Sequence, residues 1–119
     1  MATQKWTGAT LSTANSNLDG TGTLATLYTA PSGGCRIEQI NIKATVTTTN
    51  GMIRIFKDDG INKFLVWEEP VSAATPSATV AAFSTSIRLP NLFLQNGTTL
   101  KASTEKAETF KVVTEATEF

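Results

Sequence analysis

Histidine is absent from the 119 residues, and cysteine occurs once, at Cys35. Without histidine the chain lacks the commonest general base, the commonest metal ligand and the usual activator of a serine or cysteine nucleophile. A lone cysteine closes no disulfide within the chain and builds no thiolate metal cluster. It reads as a small buried side chain with no base to activate it. Neither sign of charge is in excess: ten Lys and Arg balance ten Asp and Glu, and charged residues make up only 17% of the chain. Phosphate recognition needs clustered Lys and Arg, so no nucleic-acid partner is expected. No apolar run approaches the roughly 18 residues of a membrane span. Met1 leads into polar residues rather than the apolar stretch of an export signal. The expectation is a protein with no membrane partner, no cofactor, no metal and no enzymatic activity.

What the sequence has in plenty is threonine, at 21 of 119 residues. Threonine is β-branched and stiff at χ1, and it suits a pleated, half-exposed surface. Helical exteriors favour Lys, Glu and Gln instead. Ala73–Ala82 is the only Ala-rich stretch, and Pro76 with its Ser and Thr neighbours argues against a helix there.

The pattern along the chain is one of short strands and turns. Residues 1–20 are polar and small apart from Trp6 and Leu11, and read as an N-terminal arm or edge segment; 21–119 reads as the β-sandwich domain. Leu24, Leu27 and Tyr28 mark an imperfectly alternating strand, followed by a turn at Ala30–Gly34. Ile40, Ile42, Ala44 and Val46 alternate with polar residues, a half-buried strand. Ile37 falls on the wrong parity, which a β-bulge near Glu38 or Gln39 corrects. Asn50-Gly51 predicts a hairpin. Ile53 and Ile55 share a face opposite Met52, Arg54 and Phe56, and Asp58-Asp59-Gly60 turns the chain into 63–69. Ala81, Phe83, Thr85, Ile87 and Leu89 alternate most cleanly. Residues 98–104 and 108–115 predict a last hairpin with Leu100, Ala102, Phe110 and Val112 inward. About eight antiparallel strands in this length predict an all-β, two-sheet antiparallel sandwich with jelly-roll-like connections.

The chemistry-bearing motifs have structural explanations. Asp58–Asn62 resembles a calcium loop but lacks the alternating ligands and distal glutamate of one. Glu68 and Glu69 are adjacent in a strand, so they point to opposite faces and cannot flank one bond. Most aromatics sit in apolar strands and read as core. Trp6 is different: it lies in a polar segment with few neighbours able to bury it, which marks it as an interface anchor. Phe119, the last residue, is a second interface candidate.

Four stretches carry a resemblance: NLDGTGTLATLYTAPSGGCRIEQINIKAT (17–45), NGMIRIFKDDGINKFLVWEEPV (50–71), TPSATVAAFSTSIRLP (75–90) and LKASTEKAETFKVVTEATEF (100–119). Together they resemble small virion structural proteins of tailed bacteriophages, in particular capsid decoration (cement) proteins. The resemblance implies a small β-sandwich that stabilises the head by protein–protein contacts. It implies the major capsid protein as partner, self-association as a trimer, assembly in the host cytoplasm and a final place on the capsid surface. It carries over no functional residue. The alternative is a tail- or fibre-associated β-sandwich module that binds host-surface glycans.

Overall fold

Alternating apolar residues become strands in the computed structural model, which describes residues 2–119. The strands are β1 (Thr3–Leu11), β2 (Ala25–Thr29), β3 (Cys35–Ala44), β4 (Gly51–Asp58), β5 (Lys63–Val71), β6 (Ser84–Ile87), β7 (Phe93–Leu94), β8 (Thr99–Thr104) and β9 (Phe110–Glu118). One sheet has the order β1-β9-β3-β6, with the two-residue β7 on the end of β3; the other has the order β2-β8-β4-β5. All pairings are antiparallel. With β7 set aside, successive strands alternate between the sheets except at the β4–β5 hairpin, which is the interleaved order of a jelly roll. The all-β sandwich read from the sequence is the fold.

The core lies between the sheets and is mainly aliphatic. Leu11, Leu27, Ile40, Ile42, Ile53, Ile55, Leu100 and Val112 are all buried within it, with Phe110 as its large aromatic. Each comes from a strand whose alternate residues face outward, as a pleated strand requires. The Ile37 parity problem is solved as expected: the β3–β9 register shifts between Ile37 and Gln39, so Ile37 returns to the core. A second shift, between Thr26 and Tyr28 against β8, lets the adjacent Leu27 and Tyr28 both be buried and accounts for the imperfect alternation of β2.

Several local expectations are corrected. Asn50-Gly51 does not close a hairpin, because β3 and β4 belong to different sheets. The Asn50 side chain instead accepts a hydrogen bond from the Ala73 backbone at 3.1 Å, and the chain uses this corner to change sheets. The predicted last hairpin fails for the same reason: β8 and β9 lie in opposite sheets, although Leu100, Ala102, Phe110 and Val112 are all buried as expected. Val46 is exposed, since β3 ends at Ala44 and Thr45 bonds the Thr109 carbonyl at 3.0 Å. Ala81 and Leu89 lie outside the short β6. Phe83 is only partly buried, its ring edge-on to Phe110 with centroids 6.1 Å apart. Asp58–Gly60 does make the β4–β5 hairpin. Gly60 takes φ +92°, the left-handed region open to glycine, and donates to Asp58 Oδ1 at 2.8 Å.

The segment between β1 and β2 crosses the outer face of the four-stranded sheet. At one end Asn15 N–H donates to the Thr104 carbonyl at 2.7 Å, and the Asn15 amide donates to the carbonyls of Thr21 and Thr23 at 2.9 Å each. At the other end Gly20, at φ +85°, lies so close to the Lys63 side chain that a Cβ there would collide with it. Phe56 has the outward parity of Arg54 and Asp58, yet it is fully buried and stands apart from the inter-sheet core. The crossing segment is the element placed to cover it.

Candidate protein-docking face

Among the described residues, nothing covers the outer face of the five-stranded sheet in this way. Register places Trp6, Gly8 and Thr10 of β1 beside Glu115, Val113 and Lys111 of β9, and these beside Gln39, Asn41 and Lys43 of β3. Side chains of this face are tied to one another. Glu38 accepts from Arg36 Nη2 at 2.9 Å and from the Thr117 hydroxyl at 2.6 Å. The Thr117 hydroxyl, then the Arg36 guanidinium, hold the Glu38 carboxyl below its ordinary value. Asn41 donates to Glu115 at 2.8 Å and accepts from Ser86 at 2.8 Å, and Lys111 donates to Thr10 at 2.8 Å. A face whose polar side chains are already ordered has less entropy to lose when a partner arrives.

Trp6 stands on this ordered ladder with 69% of its surface exposed. Its ring edge lies over Gly8, with Cζ3 3.7 Å from where a Gly8 Cβ would stand. Gln4, Lys5, Glu38, Glu115 and Ala116 line the shallow recess at its side. The half-exposed Val113 extends the apolar surface toward the sheet centre.

Phe119 is also exposed, and its backbone N–H is anchored to the Gly34 carbonyl at 3.1 Å. The fold does not bring it to Trp6. Trp6 is opposite Glu115, and Phe119 lies four residues further along, about 13 Å at strand rise. Its neighbour is the half-exposed Phe93 of β7; the two line a recess with Gly33, Gly34, Cys35 and Gln95. Phe93 carries no local signal of exposure, because it sits in the apolar triplet Leu92-Phe93-Leu94.

Two further aromatics correct the expectation of core packing. Phe64 and Trp67 of β5 are 53% and 40% exposed. They carry the parity of the core-facing side, but β5 has nine residues and the facing β6 only four, so part of β5 overhangs. Trp67 Nε1 donates to Glu69 at 2.8 Å, and Glu69 accepts from Thr85 of β6 at 2.7 Å. The signal that could have found the overhang is the unequal length of the two alternating runs.

The candidates for chemistry are held in structural roles. Cys35 is buried, and burial pushes its thiol up to about 11. Glu68 bonds Arg54 on the outer face, and Glu69 lies on the other. Asp59 accepts from the backbone of Ile61 and Asn62, which uses its oxygens in the turn. Among the described residues no cluster of three or more His, Cys, Asp or Glu is arranged to hold a metal.

No protein-family model matches the sequence, and no curated protein matches it either. Among solved structures, the chain is similar to one from the cyanophage Pam1 capsid asymmetric unit, with 13% identity and a TM-score of 0.44, over 99% of this chain and 85% of that one. It is also similar to a chain of the giant freshwater prawn Macrobrachium rosenbergii extra small virus VLP, with 15% identity and a TM-score of 0.34, over 97% of this chain and 79% of that one. A likeness this distant assigns neither function nor partner.

Proposed function

We propose that the protein is a non-enzymatic virion structural component, a capsid decoration protein that docks on the head through the outer face of its five-stranded sheet. The observation that carries this reading is Trp6, a large aromatic left 69% exposed on an otherwise ordered polar ladder. Interface hot spots favour such aromatics. The resemblance of the four sequence stretches to tailed-phage virion proteins supplies the partner, the major capsid protein. The jelly-roll frame serves viral capsid and lectin domains alike, so the frame by itself does not choose between them.

A decoration protein adds buried area across joints between capsid subunits, and many copies multiply the effect. With a formal net charge of zero, the chain has little long-range steering to lose. Docking should therefore tolerate salt that would abolish phosphate binding. Co-sedimentation with expanded empty capsids tests the reading. Trp6→Ala should bind at least about tenfold more weakly, as hot-spot truncation does, while circular dichroism stays that of the parent. A folded Trp6→Ala protein that binds like the parent removes this face from the interface. Binding to a glycan panel with no binding to capsids would transfer the protein to the glycan-recognition reading.

A further inference from the structure

We infer that the free edge of β1 is a self-pairing site, at which a second copy of this chain adds its own β1 antiparallel and joins two five-stranded sheets into one. Four strands end the two sheets, and three of them carry features that discourage pairing. β5 has Pro70, charged Lys63, Glu68 and Glu69, and an unpaired Val66 where its register to β4 shifts. β2 has five residues and a register shift of its own, and β6 has four residues. β1 has nine residues, pairs with β9 in unbroken register from Thr3 to Leu11, and contains no proline and a single charge, Lys5. Among the described residues, no backbone bond outside its ladder with β9 engages it. Alternate residues of β1 thus present N–H and C=O groups to an empty edge.

The occupant that fits is another β1, because the strand is complementary to itself. Thr3–Leu11 is centred on Thr7, so a two-fold axis at Thr7 pairs all nine residues. That register sets Trp6 of each copy opposite Gly8 of the other, on the outer face. Glycine opposes no side chain to the indole that faces it across the ladder, and the exposed Trp6 ring, whose edge lies over its own Gly8 in the single copy, turns toward the partner's Gly8. Lys5 falls opposite Ala9, so no like charges meet, and the zero net charge adds no repulsion between copies. The pairing leaves the outer face uncovered and gathers both Trp6 rings around the axis. One strand pair buries less than the roughly 1,200–2,000 Å² of a stable interface, so the dimer is weak and concentration-dependent in dilute solution.

The test uses the full chain alone, and its outcome is independent of capsid docking. Ladder partners lie about 4.5–5.5 Å apart at Cα, within the roughly 4.4–6.8 Å that a disulfide spans. Thr7→Cys should therefore cross-link to itself under mild oxidation, and the buried Cys35 does not compete. Thr3→Cys should not, since two copies of residue 3 would stand about 27 Å apart. The expected result is at least a tenfold excess of covalent dimer for Thr7→Cys over Thr3→Cys. Sedimentation of the parent chain should also show a monomer–dimer equilibrium. Equal cross-linking of the two variants, no cross-linking of either, or a trimer in sedimentation would each overturn the pairing. Both substituted positions are exposed, and circular dichroism checks that the variants fold.

Discussion

The two sheets of the sandwich each send an aromatic side chain outward, and the chain treats them in opposite ways. On the four-stranded sheet, Phe56 is wholly buried on the face that the segment from β1 to β2 crosses. Around it Arg54 is clamped by Glu68 at 3.0 Å and Glu105 at 2.7 Å, and Asp58 by Lys101 at 3.1 Å. On the five-stranded sheet, Trp6 has no such cover and its polar neighbours bond only one another. The first face is completed by the chain itself, which makes it a second small core. The second face is left for something else, and that difference, rather than exposure of one residue, is what makes it the docking candidate.

The comparison can be broken most directly at Phe56. Phe56→Ala should cost about 3–5 kcal/mol, as truncation of a fully buried aromatic does, measured by denaturant unfolding. A loss below about 1 kcal/mol would mean that the cover is loose and both faces are open. The cover itself is tested at Gly20. An alanine there must adopt φ +85° and displace the Lys63 side chain, at a cost of about 1–2 kcal/mol. A neutral Gly20→Ala would show that the segment does not press on the sheet.

The faces should also differ in acid. The Gly60 N–H, then Lys101, hold the Asp58 carboxyl below its ordinary 3.8. A carboxylate with a depressed folded pKa contributes stability that is present above the unfolded value and is lost as pH falls through the folded one. Asp58→Asn should therefore flatten the loss of stability below about pH 4. On the open face, Glu38→Gln should leave that limb nearly unchanged, because solvent screens an exposed pair. Equal flattening by both variants would erase the distinction. The smallest expected effect on stability is that of Trp6→Ala, within about 0.5 kcal/mol of the parent. A larger loss would mean that Trp6 supports the sheet rather than waiting for a partner.

Much of this is legible in the amino-acid sequence alone. Period-two alternation located the strand cores of β3, β4, β8 and β9, and the misfit of Ile37 located a bulge that is present. These features depend on which side of a pleat a residue takes, and that is fixed within a few residues. Trp6 stood out for the same local reason, having no apolar neighbours in sequence. Phe93, Phe64 and Trp67 did not, because they sit in apolar runs and their exposure depends on how far the facing strand extends.

The amino-acid order by itself determined the class of structure: threonine-rich alternation with closely spaced turns specifies antiparallel β-sheet, and the side-chain period sets each strand's inward face. Tertiary structure alone decided which sheet each strand joins. Asn50-Gly51 has the chemistry of a hairpin, yet the chain there crosses between sheets, because partners were chosen by burial of Ile53 and Ile55 against the opposite layer. It also decided that one outward aromatic is covered and the other bare. Turn chemistry acts over four residues, whereas the segment that crosses the face of Phe56 meets Lys63 and Thr104 from more than forty positions away, and only folding brings them together.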